Sequence, residues 1–285
     1  MAAKYEALYR AVMAGEAAAA RWEVDGVSYV RNFRPKERLI LLGGGHIAQP
    51  LCRYGAELGF AVTVADDRPS FANRERFPEA EEVLCDTFAN TLRALHITER
   101  DHVVLITRGH RYDADCLRAI LPGTFPHYLG MIGSRRRVTG LFELLESEGF
   151  DGALLKRVHA PIGLPINALT TQEIAISIVA ELIQCRRKDT PRHSGSTTLV
   201  EESIDLPVLE ALCRSTEPRA LLVVLETSGS TPVKSGAMMV VDRMLHTVGT
   251  VGGGCSEHAV LMEARHLIGT QQSKCVPVDM SNDVA

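Results

Sequence analysis

The chain has 285 residues, with 31 basic and 35 acidic side chains giving a formal charge of −4, and 46% hydrophobic and 23% charged residues. That balance is of a folded globular protein long enough for two cores, and it lacks the net positive charge of a nucleic-acid binder. The seven cysteines (52, 85, 116, 185, 213, 255 and 275) are scattered without a CxxC pair, which argues against a disulfide framework or a structural zinc site and for a reducing, cytoplasmic setting.

The N-terminal stretch is alanine-rich but broken by Glu6, Arg10, Glu16 and Arg21. Tyr5, Leu8, Val12 and Met13 recur at helical spacing, so 1–37 reads as an amphipathic helix and lead-in, not a signal segment. The apolar runs are too short for a membrane span. From residue 38 the pattern becomes "RLILL" (38–42), "AVTVA" (61–65), "EEVLC" (81–85), "HVVLIT" (102–107) and "HYLGMI" (127–132), each of strand length and nearly continuous in apolar character. Such runs suit strands buried on both faces. Helical stretches at 47–59, 114–121, 137–149 and 170–187 lie between and after them, so 38–187 reads as a doubly wound, Rossmann-like parallel α/β sheet.

Residues 188–203 are polar and without periodicity and read as an interdomain linker. A smaller α+β domain is expected over 204–285: a short helix near 208–213, a strand at 220–226, a hairpin at 237–248, a helix at 256–268 and a last strand in "CVPVDM".

Two glycine turns stand out. In the first, Gly43-Gly44-Gly45-His46-Ile47-Ala48 fits G-x-G-x-x-A between a predicted strand and a predicted helix. There Gly43 serves the tight turn, Gly45 admits a pyrophosphate to the backbone, and Ala48 lets helix pack on strand. Asp66, about twenty residues on, is the candidate acceptor for a ribose hydroxyl, with Asp67 and Arg68 beside it. The alternative is a turn kept for packing alone. Two further loops share the C-terminal rim of the sheet. One carries Arg108, His110 and Asp113; the other places Gly133 and Ser134 before Arg135, Arg136 and Arg137 as an anion nest opening a helix. Solvated surface turns are the plainer reading of both.

In the second turn, "TVGGGCSEHA", Gly252, Gly253 and Gly254 precede Cys255, which therefore sits at a helix start where a thiol becomes a better nucleophile or soft-metal ligand. Glu257 also suits the helix dipole, and Lys234 in "GSTPVKSG" is a candidate counter-charge. Most unpaired cysteines are simply small hydrophobes.

Taken together, "GSTPVKSGAMMVV" and "GTVGGGCSEHAVLMEA" resemble the signature block of the XdhC/CoxI family, and "LILLGGGHIAQPLCRYGAELGFAVTVADDRPSFANRERFP", "YLGMIGSRRR" and "PIGLPINALTTQEIAISIVAELI" resemble that family's Rossmann domain. The family comprises accessory proteins of xanthine dehydrogenase and related molybdenum hydroxylases. The resemblance implies a chaperone that binds the molybdenum cofactor, assists its sulfuration and inserts it into the apo-hydroxylase, with a cysteine desulfurase as a further partner and no membrane or nucleic acid involved. It also implies that Ser230, Lys234, Gly252, Gly253, Gly254, Cys255 and Glu257 contact the pterin or metal, Cys255 being the candidate molybdenum ligand, while His110, Ser134, Arg135 and Arg136 hold the cofactor's phosphate. A homodimer is the base-rate expectation.

Three departures from the family pattern stand beside the resemblance. The signature domain follows the Rossmann domain here, where the familiar order is the reverse; Val233 replaces the usual arginine after "GSTP"; and a further Cys-Gly-Gly segment is expected beyond the point where this sequence ends. The competing reading is an NAD(P)-dependent oxidoreductase using the first glycine turn and Asp66.

Overall fold

A computed structural model describes residues 2–188, 198–199, 206–215, 217–228, 233–252, 254–270 and 272–278. The chain forms two compact units, Lys36–Asp189 and a second one made of Met1–Pro35 together with Thr190–Ala285.

The first unit is built on five parallel strands: β3 (Arg38–Leu42), β4 (Ala61–Asp66), β5 (Glu82–Cys85), β6 (His102–Leu105) and β7 (Tyr128–Met131). Their order, β5-β4-β3-β6-β7, is the doubly wound arrangement, with the direction of winding switching at β3. The inner strands are apolar throughout because they are covered twice. Ile40, Leu42, Val103, Leu105 and Leu129 face α3 (Phe88–Leu95), α4 (His110–Ile120) and α5 (Arg135–Ser147). Leu39, Leu41, Val62, Val64 and Val104 face α2 (Ala48–Glu57) and α7 (Thr171–Arg187). The strand at 81–85 departs from the expected double burial: β5 is an edge strand whose end residues Glu82 and Cys85 are exposed. A single turn, α6 (Gly152–Leu155), links α5 to the segment before α7.

Local chemistry sets the helix starts. Thr170 accepts from the Glu173 N–H at 3.2 Å while Glu173 accepts from the Thr170 N–H at 2.9 Å, a reciprocal cap for α7. In α2, Gly55 lets the helix descend onto the sheet, since a Cβ there would lie 2.7 Å from Leu39.

The second unit differs from the sequence expectation at its N-terminal part. Residues 1–37 are not only a helix and lead-in: α1 (Ala2–Met13) is followed by an antiparallel hairpin, β1 (Ala18–Val24) and β2 (Val27–Phe33), turning at Asp25 and Gly26, both with positive φ. Tyr5, Leu8 and Val12 of α1 are buried with Val208 and Leu209 of α8 (Leu206–Arg214) and Met238 and Val240 of β9; Met13, at the end of the same stripe, is exposed. The N-terminal segment thus completes the core of the C-terminal domain.

β8 (Ala220–Val223), β9 (Met238–Val241) and β10 (Thr247–Gly249) form an antiparallel sheet, and α9 (Gly254–Leu267) follows. The stretch expected to be a linker contains Thr198 and Leu199, which run alongside β2: the Leu199 N–H donates to the Val30 carbonyl at 2.8 Å, and its side chain is buried. The last strand expected in "CVPVDM" is not formed over the described residues 272–278.

Candidate functional site

Parallel pairing puts the C-terminal ends of β3, β4, β6 and β7 at one edge of the first unit, and the predicted rim residues gather there. Gly43 leaves β3 with φ +120°, its N–H donating to the Ala65 carbonyl at 2.7 Å. A Cβ on Gly43 would lie 2.3 Å from the Ile106 carbonyl oxygen, and one on Gly44 would lie 2.3 Å from that of Phe71. Packing alone therefore demands the first two glycines. Gly45 is different, because a Cβ there meets nothing within 4 Å. It faces open space. Ala48 is fully buried at the first turn of α2, in the close-packing role expected of it.

Asp66 has a different occupation from the one anticipated. Its Oδ2 accepts from the Gly44 N–H at 2.8 Å and from Arg68 Nη2 at 2.9 Å; its Oδ1 accepts from the Arg68 backbone N–H at 3.0 Å and from Arg68 Nε at 2.8 Å. Both oxygens of this buried carboxylate are held by the chain itself, so it is a staple for the turn, not an open ribose acceptor. Burial by itself would raise its pKa, but the bonds from Arg68 and Gly44 outweigh that and hold it low.

The loop after β4 folds back over the turn. Arg68 stacks 3.7 Å from the Phe71 ring centroid, and Arg76 donates to the Gly44 carbonyl at 3.3 Å. Across the rim, Arg108 pairs with Asp67 and lies over the Tyr112 ring. Arg68 and Arg108 are legible in the sequence as rim residues, whereas Phe71, Arg76 and Tyr112 are not, and only the fold brings Asp67 to Arg108.

His110 is exposed at the first position of α4, and Ser134 caps α5, accepting weakly from the Arg137 N–H at 3.4 Å. Arg135 and Arg136 are exposed in the first turn of α5. The two helix starts are neighbours: Asp113, buried one turn into α4, feels the charges of both His110 and Arg137. Its carboxyl is pushed up to about 6 by burial, and Thr107 Oγ1 lies 2.7 Å from its Oδ1. The rim thus combines α2, α4 and α5 N-termini, exposed arginines and an open glycine, which suits an anionic group.

The second glycine turn belongs to the other unit. β8 and β10 both pair antiparallel with β9, so the loop leaving β8, the start of β9 and the end of β10 share one edge of that sheet. This brings the two signature loops together. Gly236 donates to the Val224 carbonyl at 2.6 Å, the Lys234 carbonyl accepts from the Ala237 N–H at 3.1 Å, and the Thr250 N–H donates to the Met238 carbonyl at 3.2 Å. The Lys234 side chain is exposed. Gly252 has φ +149°, and Gly254 opens α9. Glu257 turns back into the loop, where its Oε1 accepts from the Val251 N–H at 3.2 Å and Thr250 Oγ1 at 3.1 Å. Ser230, Gly253 and the side chain of Cys255 lie outside the described residues. Among the described residues, no group of three or more His, Cys, Asp or Glu could hold a metal ion, and no helix is long and apolar enough to cross a membrane.

A model of the XdhC Rossmann domain matches residues 39–182, and one of the XdhC and CoxI family matches 212–279. The chain belongs to the XdhC/CoxI family. This XdhC/CoxI chain is 34% identical over 158 residues to the uncharacterised protein YqeB of Escherichia coli K12, covering 55% of this chain and 28% of that one. It is 30% identical over 160 residues to a probable xanthine dehydrogenase subunit from Bacillus subtilis 168, covering 56% of this chain and 46% of that one. Among solved structures, a xanthine dehydrogenase from Bacillus halodurans superposes with a TM-score of 0.53 at 33% identity, over 60% of this chain and 48% of that one. The XdhC/CoxI chain spans less than half the length of the curated relatives it matches.

Proposed function

We propose that this chain is an accessory protein of a molybdenum hydroxylase of the xanthine dehydrogenase type, which binds the molybdenum cofactor, assists its sulfuration and delivers it to the apo-enzyme. The observation that carries this reading is the presence of both family domains in one chain, with the described parts of the predicted loops at one sheet edge in each. The residues fit the cofactor's phosphate: Ser134 at the start of α5, with exposed Arg135 and Arg136, offers N–H groups and positive charge, and His110 is exposed at the start of α4. The role of Cys255 as the soft ligand is carried over by motif. When bound, the cofactor brings the molybdenum and pterin on which the hydroxylase's chemistry depends; this chain's part is to hold, shield and release it. A cysteine desulfurase is the sulfur-supplying partner in this proposal, and the cytoplasm its setting.

The second reading, an NAD(P)-dependent oxidoreductase, is favoured by the glycine turn where the sheet's winding switches. The engagement of Asp66 with Gly44 and Arg68 weighs against it.

The test is to purify the full chain from a host that makes the molybdenum cofactor, oxidise it, and quantify released pterin by fluorescence. Near-stoichiometric pterin, lowered in Cys255→Ala and in Arg135→Glu/Arg136→Glu, is the expected result. Folded protein carrying no pterin would overturn cofactor carriage, and reduction of NAD(P) with a small substrate would favour the oxidoreductase.

A further inference from the structure

Away from the glycine turns, the first unit contains an ordered chain of four side chains. Glu181 and Cys185 lie four residues apart on α7 and so share a face. His159 sits in a segment that runs beside β7 as an additional strand would: its N–H donates to the Leu129 carbonyl at 2.8 Å, and its carbonyl accepts from the Met131 N–H at 2.9 Å. Its ring stacks on Tyr128 at 4.6 Å between centroids. Glu181 Oε2 accepts from Tyr128 Oη at 2.5 Å and the Gly163 N–H at 2.8 Å, and Oε1 lies 3.1 Å from His159 Nδ1. On the far side, His159 Nε2 lies 3.9 Å from Cys185 Sγ.

The tautomer follows from the partners. The bonds from His159, Tyr128 and Gly163 hold the Glu181 carboxyl ionised, against the upward push of burial. An ionised carboxylate only accepts, so Nδ1 must donate to it, and Nε2 presents its lone pair to the thiol. A nucleophile, a base facing it and a third group orienting that base form the arrangement from which activated thiols are built. The His159 side chain is 35% exposed and Cys185 is half-buried, so a small molecule has access.

We propose that Cys185, His159 and Glu181 form a thiol-exchange site that takes small disulfides. The thiol proton passes to His159 Nε2 as Sγ attacks one sulfur of R–S–S–R. The reagent's S–S bond breaks as the Cys185–S–R bond forms, and the imidazolium returns the proton to the leaving thiolate, which departs as RSH. Cys185 is oxidised and the leaving sulfur reduced, with no outside electrons. Exchange between sulfurs is favoured over acyl transfer because Cys185 lies in the last turn of α7, where carbonyls and not backbone N–H groups are presented. Burial and the Glu181 charge raise the thiol's pKa while Lys188 lowers it, and the net is upward.

The test treats the reduced full chain with bis(2-hydroxyethyl) disulfide and follows each cysteine by peptide-resolved mass spectrometry. Exposed Cys85 and Cys275 are internal references, and buried Cys52 and Cys116 report any unfolding. Cys185 is expected to form the mixed disulfide at least about ten-fold faster than Cys85, and His159→Gln to remove that advantage without changing Cys85. A Cys185 no faster than Cys85, or one unaffected by His159→Gln, would overturn the proposal. Should that variant expose Cys52 and Cys116, the wild-type comparison with Cys85 decides alone.

Discussion

Gly43 passes so close to Ile106 that a single added methyl would lie 2.3 Å from the Ile106 carbonyl oxygen. The two residues leave β3 and β6, the strands on either side of the point where the sheet's winding switches, so this approach sets how closely the two exits can pack.

Gly43→Ala is therefore expected to cost at least about 3 kcal/mol, combining a positive-φ penalty with an overlap that only backbone movement relieves. Gly45→Ala, with open space around it, should cost less than about 1 kcal/mol. Urea denaturation of the two variants checks this, and equal losses would contradict it.

Asp113 ties stability to pH. Its carboxyl lies at about 6 in the folded chain against an ordinary 3.8, so between those values the native state binds more protons than the unfolded state. The contribution of Asp113 is thus most favourable below about pH 4 and is lost as pH climbs through about 6, by about 2–3 kcal/mol at most. Asp113→Asn keeps an acceptor for Thr107 and removes the charge. Its stability relative to wild type should rise between pH 4 and pH 7; a constant difference would refute the assignment. Groups with lowered pKa values, such as Asp66 and Glu181, slope the opposite way in both proteins and cancel in the comparison.

The start of α5 should bind anions. Millimolar pyrophosphate is expected to raise the melting temperature by a few degrees by mass action, and Arg135→Glu/Arg136→Glu to abolish the shift while changing intrinsic stability by less than about 0.5 kcal/mol. Calorimetry with and without the anion measures both.

Removing Met1–Pro35 should damage the C-terminal part of the chain and spare the Rossmann unit. Tyr5, Leu8 and Val12 cover Val208 and Leu209, and Tyr29 Oη donates to Glu226 at 2.7 Å. A truncated chain is expected to keep one cooperative calorimetric transition and lose the other. Two retained transitions would mean that the N-terminal segment is dispensable to that core.

Much of this protein is legible from residue order, because the patterns are local. Runs such as "RLILL" mark doubly covered strands, Thr170 and Glu173 mark a helix start, and glycine triplets beside strand and helix signals mark the two turns. The hairpin at Asp25 and Gly26 was also within reach, since an Asp-Gly pair between alternating apolar residues is a strong turn signal. What the tertiary structure alone decided concerns partners distant in sequence. Asp66 has the position of a ribose acceptor, yet the path of its own loop hands it to Gly44 and Arg68. The segment around α1 reads as an amphipathic helix and lead-in, and only the fold shows that its apolar stripe completes a core some two hundred residues away. His159, Glu181 and Cys185 share no motif, and only the packing of α7 against the segment beside β7 lines them up. Periodicity and capping are written in the residues themselves, whereas which acid meets which base depends on where the chain returns.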